Sequence, residues 1–167
     1  KNISKYYFGI QALDNVSMSI DKGEIHCLVG ENGSGKSTLI KIISGVESAD
    51  SGEIIINDKK HPHLQIADAI NEGIQVIYQD LSLFPNLSVA ENIALNQLLG
   101  KKKKIINWRE IRDIAREELK YNMINLSLDS EVENLSVADR QLVAICRALI
   151  QNAKLLIMDE PTSALTK

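Results

Sequence analysis

The stretch Gly30-Glu31-Asn32-Gly33-Ser34-Gly35-Lys36-Ser37-Thr38 decides the fold. It matches G-x-x-x-x-G-K-[ST] at every fixed position. Glycines let the backbone curl into a concavity whose N–H groups converge on phosphate oxygens. A helix starting at the end of the loop adds the positive end of its dipole. The Lys36 ammonium reaches β- and γ-phosphates as a point charge, and the Ser37 hydroxyl can ligate Mg²⁺. The flanks agree with this reading. Glu24-Ile25-His26-Cys27-Leu28-Val29 reads as a buried strand entering the loop, and Ser37-Thr38-Leu39-Ile40-Lys41-Ile42-Ile43 as a helix leaving it.

A second stretch, Leu155-Leu156-Ile157-Met158-Asp159-Glu160-Pro161-Thr162-Ser163, runs four apolar residues into two carboxylates. A continuous apolar run suits a strand buried on both faces. Its C-terminal end is where open α/β sheets hold ligands. Asp159 can there join a Mg²⁺ shell and Glu160 can act on an attacking water.

Outward from these two stretches, the 167 residues suit one domain or most of one, and 44% apolar content is ample for a core. The net charge of −3 gives no nucleic-acid footprint. The run Lys101-Lys102-Lys103-Lys104 follows Gly100 and reads as a solvated loop in preference to a binding patch. Cys27 in the expected strand and Cys146 on a helix face read as buried small hydrophobes, without metal or disulfide spacing. No apolar stretch approaches the ~20 residues that span a bilayer, and no signal peptide opens the chain, so a cytoplasmic location is expected. The cluster Tyr6-Tyr7-Phe8 can either close a sheet edge or stack on a purine.

Ile3 opens a short strand, and Val16-Ser17-Met18-Ser19-Ile20 alternates as a half-exposed antiparallel strand does. Further strands are expected at Gly52–Asp58 and at Ile74–Tyr78, with a short helix from Ile66 to Asn71. From about Val89 to Gly100 and from about Trp108 to Tyr121 the period is helical. Asn107 with Glu110, and Ser136 with Asp139, are capping pairs, the second opening a helix through Ile150.

Taken in order, these motifs resemble those of the ATP-binding cassette (ABC) ATPase family over essentially the whole chain. Tyr7 stands where that family places an adenine-stacking aromatic, before Ala12-Leu13. Gly30–Thr38 corresponds to its Walker A loop, and Gln79, ahead of Leu83-Phe84-Pro85, to its Q-loop. Leu135-Ser136-Val137-Ala138-Asp139-Arg140-Gln141 stands at the signature motif, Asp159-Glu160 at Walker B and Ser163-Ala164-Leu165-Thr166 at the D-loop. The signature departs from the commoner Leu-Ser-Gly-Gly-Gln: Val137 and Ala138 replace two glycines and Asp139 replaces glutamine. This variant resembles the N-terminal cassette of bacterial simple-sugar importers of ribose, galactoside or xylose type.

The resemblance implies an α/β fold: a P-loop NTPase ABC-cassette core with a mixed β-sheet, an antiparallel β subdomain and an inserted α-helical subdomain. It implies one nucleotide-binding domain over residues 1–167, with the core at about 1–80 and 152–167 and the helical segment at about 81–151. ATP and Mg²⁺ are the implied cofactors. Tyr7, Gly30, Glu31, Asn32, Gly33, Ser34, Gly35, Lys36, Ser37, Thr38 and Ser136 would bind nucleotide, Ser37, Gln79 and Asp159 the metal, and Glu160 with Gln79 would be catalytic. Implied partners are a second cassette, fused or dimeric, permease subunits at the cytoplasmic face of the membrane and, indirectly, an extracytoplasmic sugar-binding protein, with no nucleic acid. The bland alternative for Leu83, Phe84 and Pro85 near a permease groove is local packing. His26, His61 and His63 all precede Gln79, so none is the family's switch histidine, and a C-terminally truncated fragment of an active parent is expected.

Three competing readings differ in what they explain. A P-loop kinase or GTPase accounts for Walker A but not for Ser136 or the Asp159-Glu160 pair. A translation or DNA-maintenance ABC ATPase would bring basic surfaces or long coiled coils. A non-hydrolysing regulatory cassette is opposed by Glu160 and favoured by the altered signature.

Overall fold

A computed structural model describes residues 1–99 and 107–159. In chain order the elements are β1 (Ile3–Tyr7), β2 (Ile10–Val16), α1 (Lys36–Ile43), β3 (Ile54–Ile56), β4 (Lys59–His61), α2 (Ile66–Glu72), β5 (Ile74–Ile77), α3 (Val89–Leu99), α4 (Trp108–Tyr121), a 3₁₀ turn (Val132–Asn134), α5 (Val137–Leu149) and β6 (Leu155–Met158). They gather into two compact units, Lys1–Ile74 and Gln75–Lys167.

In the first unit β1 and β2 form an antiparallel hairpin in which Tyr7 pairs with Ile10. The two-residue turn is Phe8-Gly9, with φ 46° and 85°, the hand that matches strand twist. The other side of β1 is covered by the chain at Asp50–Gly52, where the Ser4 N–H donates to the Ser51 carbonyl at 3.1 Å. Gly52 has φ +103°, and a Cβ there would stand 2.5 Å from the Asn2 carbonyl oxygen, so this crossing needs glycine. Ile3 and Leu13 of the hairpin bury against Leu39 and Ile42 of α1. The hairpin thus becomes the seat of the helix that carries Lys36 at its start. β3 and β4 form a second antiparallel hairpin.

The expected strand Glu24–Val29 does not form. Ile25 is 98% and Val29 84% exposed, and Cys27 is exposed too. The expected strand at Val16–Ile20 likewise ends at Val16, the last residue of β2. The reason is the same at both places. An apolar or alternating run becomes a strand only against an edge that offers a hydrogen-bond ladder. Among the described residues these segments have no strand partner: Glu24 N–H turns back to the Asp21 carbonyl at 3.2 Å, and Ser17 meets Asn2 through its side-chain hydroxyl, with no backbone ladder.

The second unit follows its sequence pattern closely. Helices α3, α4 and α5 pool Val89, Ile93, Ile111, Ala115, Val143 and Cys146 in one apolar core. Asn107 caps α4, accepting from the Arg109 and Glu110 N–H groups, and Ser136 caps α5, accepting from Asp139 N–H. Asn92, 2% exposed, ties the preceding loop to α3. Its carboxamide accepts from Phe84 N–H at 2.8 Å and donates to the Phe84, Ser88 and Leu87 carbonyls at 3.0–3.2 Å. β5 and β6 pair, and Asp159 N–H donates to the Ile77 carbonyl at 2.9 Å. No described helix is long and apolar enough to cross a membrane. The run Lys101–Lys104, Glu160 and Ser163–Thr166 lie outside the described residues.

Two measurements check this architecture. In a thiol titration of the native chain Cys27 is expected to react, while Cys146, whose thiol burial pushes up to about 11, reacts only after unfolding. Two fast thiols would contradict the helical core; none would show Glu24–Val29 to be covered. In acid, Asp50 matters. Its bond from Tyr6 N–H at 2.7 Å, then its pairing with Lys5, hold its carboxyl below the usual value. A carboxyl depressed in the folded state stabilises above its unfolded pKa, and that contribution is lost as pH falls through the folded value. Urea midpoints are therefore expected to drop below about pH 4, and more gently in Asp50→Asn.

Candidate functional site

The phosphate loop is held closed by its own lysine. Lys36 Nζ donates to the Gly30 carbonyl at 2.7 Å and the Glu31 carbonyl at 2.8 Å, with Ser34 Oγ at 3.5 Å. Ser34 N–H turns back to the Glu31 carbonyl at 3.2 Å. The ammonium is therefore already at the mouth of the loop, on neutral acceptors that a charged phosphate outcompetes. Lys36 opens α1, whose N-cap is Gly35, with no side-chain cap and no acid in the first turn. The other four described α-helices begin differently. Asp68, Glu91 and Asp139 stand in the first turns of α2, α3 and α5, and Glu110 in that of α4. The start of α1 thus keeps its N–H groups and positive dipole end for an external anion.

Gly35 fixes where that site lies. Its φ is +87°, and a Cβ would stand 2.5 Å from the Ala12 carbonyl oxygen and 2.8 Å from Leu13 Cδ2. The loop is pressed onto β2, about 7 Å of strand from Ile10, the partner of Tyr7. Tyr7 is half-buried at the end of β1, with Lys5 Nζ 5.4 Å from its ring centroid. Tyr7 and the phosphate loop are thus both attached to the β1–β2 hairpin, Tyr7 through Ile10 and the loop through Ala12. Ser37 is exposed at the second position of α1.

In the second unit Gln79 and Asp159 line one cleft of about 430 Å³, together with Arg140, Gln141, Pro85 and Leu83. The pairing of β5 with β6 brings them together, since Asp159 bonds to Ile77 and Gln79 follows two residues later. Ser136 is exposed at the start of α5, and its Oγ accepts from Asp139 N–H at 3.1 Å and donates to Asp139 Oδ2 at 2.7 Å. Leu83 packs into the core, while Phe84 is 51% exposed.

Arg147 has no place in any motif, yet it shapes this cleft. It reaches from α5 to donate to the Leu81 carbonyl at 2.7 Å and the Ser82 carbonyl at 2.8 Å. Burial draws its guanidinium below the usual value. It clamps the turn after Gln79, in which Ser82 sits at φ +49° and its N–H bonds to Asp80 Oδ1. The one trace in the sequence is a cation among buried Val143, Ala144, Cys146 and Ala148.

As to metal, no cluster of three or more His, Cys, Asp or Glu among the described residues could hold an ion. The hydroxyl, amide and carboxylate oxygens of Ser37, Gln79 and Asp159 suit Mg²⁺, which is bound through one or two protein oxygens plus phosphates and water.

A loop of this geometry at an uncapped helix start, followed by a capped serine helix and an acid-ended strand, defines a nucleotide-binding cassette. The family model described as ABC transporter matches residues 13–163, and the chain belongs to that family. It is 43% identical over 166 residues to the arabinose import ATP-binding protein AraG of Rhizobium meliloti (strain 1021), covering 99% of this chain and 32% of the relative. It is 42% identical over 167 residues to the ribose import ATP-binding protein RbsA of Caldanaerobacter subterraneus subsp. tengcongensis, covering 100% and 34%. The chain thus spans about a third of these curated relatives. Among solved structures, an ATP-binding cassette seen as a dimer in a post-hydrolysis state with ADP and Pi superposes with TM-score 0.77 at 32% identity, over 98% of this chain and 74% of that one. The α/β cassette fold is thereby established.

Gly35→Ala tests the seating of the loop. At φ +87°, with the Ala12 oxygen in the way, alanine is expected to cost about 1–3 kcal/mol in a denaturant melt and to weaken binding of triphosphate. Unchanged stability and affinity would mean that the loop is not held on β2.

Proposed function

We propose that this chain binds MgATP and, in its intact protein, hydrolyses it to drive import of a sugar. The observation that carries the reading is the open start of α1, with Lys36 poised on the Gly30 and Glu31 carbonyls. In this reading Tyr7 stacks on adenine, and Lys36 with the backbone of residues 32–38 holds the phosphates, Lys36 exchanging its carbonyl partners for phosphate oxygens. Mg²⁺, when bound, neutralises charge on the phosphates. Ser37, Gln79 and Asp159 would hold it and its waters. Glu160 polarises the attacking water. Ser136 of one cassette closes on the nucleotide of another, so that γ-phosphate contacts favour a closed pair and cleavage removes them.

The sugar-import assignment rests on the named activities of the AraG and RbsA relatives, and a second cassette on the dimeric solved neighbour. Permease subunits, an indirect sugar-binding protein and a peripheral position on the cytoplasmic face follow from the same reading. So does the division into a core at about 1–80 and 152–167 with a helical segment at about 81–151 around Gln79 and the signature.

Calorimetric titration with ATP, GTP and ADP, with and without Mg²⁺, tests the proposal. Saturable ATP binding is expected, weakened about 10–100-fold in Lys36→Ala, the worth of one charged hydrogen bond. In the intact protein Glu160→Gln is expected to keep binding and lose about 10²–10⁴-fold in turnover. A folded chain that ignores nucleotide would refute the reading.

A further inference from the structure

The start of α5 departs from the start of α1 in a way that bears on closure. Both are helix N-termini that the proposed reading turns toward phosphate. At α1 the first turn carries no acid and no side-chain cap. At α5 the serine hydroxyl is engaged twice: Ser136 Oγ accepts from Asp139 N–H at 3.1 Å, and its single proton goes to Asp139 Oδ2 at 2.7 Å. A hydroxyl has one proton to donate. While the Asp139 carboxylate holds it, Ser136 has none for a phosphate oxygen. The same carboxylate places a negative charge in the first turn, where the dipole and free N–H groups would otherwise favour an incoming anion.

We propose that Asp139 is a positioning residue that restrains closure, because its carboxylate occupies the Ser136 proton and repels the phosphate that Ser136 would receive. The proposal rests on the reading of Ser136 given above. Closure onto ATP must first rotate the Ser136 O–H away from Asp139 and leave that carboxylate without its donor beside a polyphosphate. Each cassette pair closed through such a segment holds its nucleotide less tightly than one with a neutral residue at 139. The backbone half of the cap, Asp139 N–H to Ser136 Oγ, does not depend on the carboxylate, so neutralising the side chain leaves the start of α5 capped.

The test is the release rate of labelled ATP from the intact protein, with Glu160→Gln present to prevent turnover. Asp139→Asn, and independently Asp139→Gln, are expected to slow release about tenfold, the worth of roughly one charge-assisted hydrogen bond, with thermal melts close to the parent. Added to Ser136→Ala, Asp139→Asn is expected to slow release less than it does in the parent, because only the charge repulsion is then left to remove. Faster or unchanged release in both folded variants, or an equal effect without Ser136, would overturn the proposal. A different failure marks the underlying reading: if Lys36→Ala binds ATP as tightly as the parent, the phosphate-loop assignment falls first. A purely structural role for Asp139 predicts a lower melting temperature and no slowing.

Discussion

The absence of one methyl group at Gly35 organises the first unit. With φ +87° and the Ala12 carbonyl 2.5 Å from where a Cβ would stand, the backbone of the loop lies directly on strand β2. That contact sets the direction in which α1 begins and lets Leu39 and Ile42 reach Ile3 and Leu13 beneath the hairpin. Tyr7 closes the same hairpin, paired with Ile10 two residues before Ala12. A larger residue would be strained and would lift the loop off its strand, so core packing and the seat of the loop share one steric requirement.

Around this contact the protein handles its helix starts unequally. Four of the described α-helices open with an acidic residue in the first turn, which complements the dipole, and in α2 and α3 that acid also accepts a backbone N–H. α1 opens with glycine alone. The second unit spends its polar groups on geometry instead. Asn92 knots the loop from Phe84 to Ser88, and Arg147 holds the turn that follows Gln79. Gln79 and Asp159 share a cleft because β5 pairs with β6, Asp159 N–H bonding to the Ile77 carbonyl two residues before Gln79.

Much of this was legible in the chain itself. The phosphate loop is local chemistry: its glycines, lysine and serine lie within nine consecutive positions, and no distant residue is needed to see them. The same holds for α4 and α5, whose periodicity and Asn107 and Ser136 caps specify start and face within a few residues. Glu24–Val29 is the opposite case. Its composition asks for burial, but a strand is a relation between two segments, and its ladder depends on an edge elsewhere.

By itself, then, the sequence determined the family, the phosphate-binding loop, the order of the motifs and the helices, because each rests on interactions within a turn or two of chain. Only the tertiary structure decided that Gly35 is pressed on Ala12, that Gln79 meets Asp159 and that Arg147 reaches across 66 residues to Leu81. These are choices of direction and partner, and they are made by packing, which no local pattern encodes.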